Sequence, residues 1–169
     1  MRNFHPLAIL MGVLCLTFLS STTCAADYKD WIPLLPASIN GHEKNGDADG
    51  ANKQSENQSW SILEQRYSDG SGDTIRLTIV SGTNAPQVQQ FQAMKQFTME
   101  TEERFVETLN VSGREAVLEL YKGGGEGTLL ISLHTKTIVV INADSVGSKK
   151  ELTSLADEVP LSDIAAKTK

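Results

Sequence analysis

Asn45, Asp47 and Asp49 alternate with small residues, Gly50 follows them, and Glu56 closes the run at its twelfth position. This is a donor set for a hard divalent cation. Calcium takes about six to eight oxygen ligands, and a loop of alternating oxygen-bearing side chains can wrap it. In that reading Asn45, Asp47 and Asp49 supply side-chain ligands, Ala51 offers its carbonyl and Glu56 completes the site. Two other stretches invite chemistry. Lys122 to Gly127 (KGGGEG) has the glycine content of a phosphate cradle, which also needs a strand before it and a helix N-terminus after it. His134 stands beside Ser132 and Thr135, and a small hydrolase built on it needs a carboxylate converging from elsewhere in the fold.

The first 26 residues decide where such chemistry would operate. Arg2 precedes the apolar run Leu7–Leu19, and the small, polar stretch Ser20–Ala26 follows. That order predicts a secretory signal peptide cleaved after Ala25 or Ala26, and so a periplasmic or secreted protein. The apolar run is shorter than the ~20 residues that a membrane span needs. A competing reading, lipidation at Cys24, lacks the Leu that lipoprotein signals place three residues upstream. Both cysteines, Cys15 and Cys24, fall in the segment removed. The mature chain is thus expected to carry no disulfide, thiol chemistry or cysteine-held zinc, and His42 and His134 alone show no zinc spacing.

Removing 26 of the 169 residues leaves 143, enough for one domain that folds without covalent staples. Losing Arg2 shifts the net charge from −6 to −7. An acidic chain with no Lys/Arg cluster argues against nucleic acid and anionic membranes as partners. Glu100, Glu102, Glu103 and Glu107 read as a solvated acidic edge that discourages strand pairing. Asn57-Gln58-Ser59 and Asn110-Val111-Ser112 match the glycosylation pattern, which matters only in a pathway that glycosylates.

Three zones position these residues. Asp27 to Asn57 reads as an arm made extended by Pro33 and Pro36, followed by polar loop, with Trp31, Leu34 and Leu35 expected to cover one end of a sheet. Trp60–Tyr67 and Thr74–Ser81 read as a hairpin around Asp69-Gly70, the second run alternating Ile75, Leu77 and Ile79 with Arg76 and Thr78. A helix is expected over 85–99, with Asn84 capping and Pro86 in the first turn. Strands follow over 104–109, 115–121, 128–133 and 137–142. The last of these is apolar nearly throughout, as a central strand is. Ser148 and Glu151 predict a capped helix over 148–158.

The expected fold is therefore α+β: a mainly antiparallel sheet of about six strands in the order β-β-α-β-β-β-β-α, with two helices packed on one face. Residues 60–169 form the domain and 27–59 its arm and loop. The order across Trp60 to Ala166 is similar to the PsbP-like α+β sandwich and to small exported bacterial proteins. That resemblance implies an accessory or binding role. The run Asn45–Glu56 resembles the EF-hand calcium loop. It departs from that pattern in Asn45 at the first ligand position, in Asn52 and Lys53, and in flanks without helical period. The resulting expectation is a non-enzymatic exported protein that binds a protein or small molecule of the cell envelope through its sheet face or hairpin tips. The alternatives are a calcium module at 45–56 and, behind it, a hydrolase at His134.

Overall fold

The structure, a computed structural model, describes residues 26–169 apart from positions 56, 57, 83 and 124. The segment up to Ala25, expected from sequence to be a signal peptide and holding both cysteines, lies outside the described residues, as do Glu56 and Asn57. Among the described residues ten strands form one sheet, and every paired neighbour is antiparallel. They are β1 (Ser38–Ile39), β2 (His42–Lys44), β3 (Asp49–Ser55), β4 (Gln58–Ser68) and β5 (Thr74–Ser81), then β6 (Met99–Glu100), β7 (Arg104–Val111), β8 (Arg114–Tyr121), β9 (Gly127–His134) and β10 (Thr137–Ala143). The spatial order is β1-β2-β4-β5-β10-β9-β8-β7-β6, with β3 lying on β4. Helices α1 (Pro86–Met94), α2 (Lys149–Ser154) and α3 (Leu161–Lys167) join 3-10 turns at Tyr28–Leu34 and Leu155–Glu158.

Two faces of this sheet are covered by different helices. On one face Leu63, Leu77, Ile79, Leu118, Leu129, Ile131, Val139 and Ile141 meet Leu152, Leu155 and Ile164 from the C-terminal helices, and Trp31 and Leu35 from the N-terminal arm. On the other face Val80, Val106, Val117, Leu130, Ile138 and Val140 meet Ala85, Val88 and Phe91 at and within α1. The expected α+β sheet of about six strands with two helices on one face is therefore corrected. The molecule is a single ten-stranded sheet carrying short helices, and α1 lies on the face opposite α2 and α3. β10 shows why: five consecutive residues, Thr137–Ile141, are buried, so apolar matter must cover both of its faces.

The arm is also more structured than expected. Asp49–Ser55 pairs along β4 from Glu64 to Gln58, so the supposed polar loop is largely an edge strand. Ladder hydrogen bonds are made by backbone, and an edge strand with solvated side chains shows no alternation to read. Residues 28–34 form a 3-10 turn that includes Pro33, not an extended segment. Trp31 and Leu35 do bury against the sheet, whereas Ile32 stays 41% exposed. Tyr67, fully buried, donates its hydroxyl to the Pro36 carbonyl at 3.1 Å, and burial pushes its phenol above the usual tyrosine range.

Asp27 caps the 3-10 turn. Its carboxylate accepts from Asn52 at 2.9 Å and from the Lys29 N–H at 3.1 Å, and these bonds, Asn52 first, hold its pKa below the usual aspartate value. A lowered carboxylate pKa gives stability that is present above the unfolded value and is lost as pH falls through the folded one. The protection factors of the Lys29 and Asp30 amides, measured against the intrinsic exchange rate at each pH, should thus be high at neutral pH and fall on acidification below the ordinary aspartate range. In Asp27→Ala they should be low at both extremes, and the same fall in the variant would exclude the cap.

The remaining elements lie close to expectation. The helix expected over 85–99 is shorter, Pro86–Met94, and Ala85 rather than Asn84 stands at its N-cap. Met99–Glu100 leaves the helix for an edge strand on β7. Ser148 caps α2 by accepting from the Glu151 N–H at 3.2 Å, while Glu151 reaches back to the Gly147 N–H. A two-residue turn, Ser112-Gly113, joins β7 and β8 with both residues at positive φ.

Candidate functional site

Among the donors of the calcium reading, Asn45 and Asp47 lie between β2 and β3 and Asp49 is the first residue of β3, while Glu56 lies outside the described residues. Asn45 donates its N–H to the Arg66 carbonyl, Asp47 lies exposed beyond it, and Asp49 opens β3 opposite Glu64. From Asp49 the backbone runs extended to Ser55, about 20 Å at the usual rise per strand residue, so Ala51 and Ser55 recede from Asp47 instead of curling around it. Among the described residues no group of three or more His, Asp or Glu side chains is placed to hold a metal.

The other sequence candidates resolve in the same way. The glycine run joins two paired strands, with the Tyr121 N–H bonded to the Glu126 carbonyl and β9, not a helix, beginning at Gly127. Lys122 is drawn to Glu100 at 2.7 Å. His134 donates its Nε2 proton to the Ala165 carbonyl at 2.7 Å, which fastens α3 to the end of β9. His42 contacts the Asn40 carbonyl through Nδ1 at 3.1 Å. His42 also brings Nε2 to 3.8 Å from Asp69 Oδ2, so its ring lies between a carbonyl and a carboxylate. In the acidic edge Glu102 and Glu103 are exposed, while Glu100 pairs with Lys122 and Glu107 with Lys149. The Asn110 side chain accepts from the Gly113 N–H at 2.9 Å and supports the turn.

The surface that stands out is one that sequence reasoning missed. α1 has nine residues, about 14 Å of helix, and covers only part of its sheet face. Beyond it the same face is polar, and the strand registers bring its residues into one row. Arg66 faces Arg76, Arg76 faces Asn142, Asn142 faces Thr128, and Thr128 faces Glu119. Five strands at ~4.8 Å spacing make this row about 19 Å long. Next to α1 the face sinks into an open groove of about 260 Å³, whose walls include Ile62, Arg76, Thr78, Gln87, Gln90 and Asn142.

The groove has defined electrostatics. Arg66 Nε and Arg76 Nε both approach Glu64 Oε1, at 3.2 and 3.3 Å. Thr128 Oγ1 donates to Asn142 Oδ1 at 2.9 Å, which leaves the Asn142 amide as a donor toward the groove. Arg104 Nη1 and Glu119 Oε1 close the far end at 2.9 Å. Gln87 keeps a buried Oε1 with no hydrogen-bond partner among the described residues. An unsatisfied acceptor of this kind costs about 1–3 kcal/mol. The cue in sequence was faint: Arg76 and Thr78 on β5 and Asn142 on β10 interrupt otherwise apolar strands. What aligns them is register, which no single strand encodes.

No helix among the described residues is long and apolar enough to cross a membrane. Comparison of the chain with protein-family models, with curated proteins and with solved structures finds no match.

Proposed function

We propose that this chain is an exported, non-enzymatic binding or accessory domain of the cell envelope, and that it holds its partner on the half of the sheet face left open beside α1. The observation that carries the reading is the register-aligned row from Arg66 to Glu119. A sheet face that lacks a helix and is not a sealed core is a natural platform, because rigid strands fix the positions of its side chains. Export is supported by Arg2, the apolar run to Leu19 and the small-residue exit before Asp27.

Hydrogen exchange of the mature chain, with and without extract of its own envelope, tests this. Protection should concentrate at 62–66, 74–78, 126–130 and 140–144. Asn142→Trp, which fills the groove, should abolish it with little change in melting temperature. Protection confined to the 3-10 turn at Tyr28–Leu34 and to α2 and α3, or none anywhere, would refute the proposal.

A further inference from the structure

The groove also has a chemistry, and any ligand assigned to it rests on the reading of this face as the binding surface. Of the four arginines in the described chain, Arg66, Arg76 and Arg104 lie on this one face of an acidic protein. Arg66 and Arg76 occupy directly paired positions on adjacent strands, an arrangement that like charges ordinarily disfavour. Glu64 partly offsets it. One carboxylate against two guanidiniums leaves a single positive charge in excess. Each arginine directs Nε to the one Glu64 Oε1, so a single carboxylate oxygen is shared between two guanidiniums. Their side chains remain 62% and 45% exposed.

A guanidinium fork matches a planar carboxylate with two parallel hydrogen bonds. The surplus of one charge suits a monoanion better than a phosphate monoester, which carries about −1.5 to −2. Beside the arginines the walls supply neutral groups that both donate and accept: Asn142, Gln87, Gln90 and Thr78. Ile62 and Val140 add a small apolar surface. Those are the partners of a ring bearing hydroxyls on its edges and C–H groups on its face. At about 260 Å³ the groove lies just below the usual range for small-molecule sites and admits one such unit. We infer that the Arg66–Arg76 end of the groove is a site for a carboxylate carried on a polyhydroxylated ring, that is, a sugar acid, free or as a residue of an acidic saccharide.

The test is titration of the mature chain, 15N-labelled, with glucuronate, glucose and inorganic phosphate as separate probes. Glucuronate should give saturable shifts at Arg76, Thr78, Thr128 and Asn142. Glucose should bind about tenfold more weakly or worse, the scale of losing a charged hydrogen bond. Arg66→Gln and Arg76→Gln should each weaken glucuronate by a similar factor. The Lys variants, which keep charge but lose the fork, should recover only part of it. These positions are exposed, so the variants are expected to fold, and their unchanged spectra elsewhere would verify it. Equal binding of glucose and glucuronate, tighter binding of phosphate, or no saturable shift with glucuronate each overturns the inference. If the Gln variants keep the exchange protection given by envelope extract, and Asn142→Trp removes it, the binding face stands and the sugar acid falls. A sugar-acid glycan of the envelope is distinguished from the free acid by whether the bound species in extract survives dialysis against buffer.

Discussion

Replacing Trp31 with Ala will destabilise the protein by about 3–5 kcal/mol, the range for truncating a fully buried aromatic side chain. The indole is 0% exposed and packs in the larger core with Leu35, Leu63 and the C-terminal helices. Domains are stable by only about 5–15 kcal/mol in total, so the variant should unfold at much lower denaturant, with its m-value unchanged. The contrast is Trp31→Phe. Trp31 Nε1 is buried without a hydrogen-bond partner among the described residues. Phe removes this unsatisfied donor while keeping most of the ring, so its cost should be far below that of Ala. A loss under about 1 kcal/mol in Trp31→Ala would mean that the arm is not part of the cooperative unit. The experiment therefore decides whether residues 27–59 are an appendage, as composition suggests, or structural, as the burial of Trp31, Leu35 and Ile39 requires.

That question shows where sequence was legible. Apart from β6, which sequence reading did not anticipate, the strands from Thr74 onward lie within a residue or two of expectation because their alternation records one buried and one wet face, or continuous burial in β10. β1 to β3 were illegible for the complementary reason. Nearly every residue of β3 is exposed, and its pairing with β4 is made by backbone groups that every residue except proline carries alike. The placement of α1 was recoverable in principle. Thr78, Ile79, Val80 and Ser81 are buried in succession, and such a run needs cover on both sides of the sheet. Two helices on one face cannot provide it. The candidate groove was hidden more deeply, since Arg66, Arg76, Thr128 and Asn142 look like ordinary solvated positions until registers align them.

Gly82→Ala will be the most damaging of the glycine substitutions, with a cost of roughly 2–6 kcal/mol from backbone strain and overpacking together. Gly82 has φ +143°, a conformation that side chains rarely adopt. A Cβ there would lie 2.3 Å from the Trp60 Cβ, 2.4 Å from the Ser59 carbonyl oxygen and 2.6 Å from the Trp60 Cα. Two of those three atoms are backbone, so Trp60→Ala should not rescue the variant. Gly82 also donates its N–H to the Lys136 carbonyl at 2.8 Å and accepts from the Ala85 N–H at 3.2 Å. It thereby ties the end of β5 to the β9–β10 turn and launches α1 over the sheet. Gly113 is the control: its φ is +79°, and nothing stands within 4 Å of where its Cβ would be. Gly113→Ala should therefore show conformational strain alone, about 1 kcal/mol. The difference between the two melting temperatures reads the steric part, at roughly 2–4 °C per kcal/mol for a domain of this size. Equal shifts would mean that β4 can yield at Trp60, and that the rim of the groove set by α1 is less fixed than the close approach at Gly82 requires.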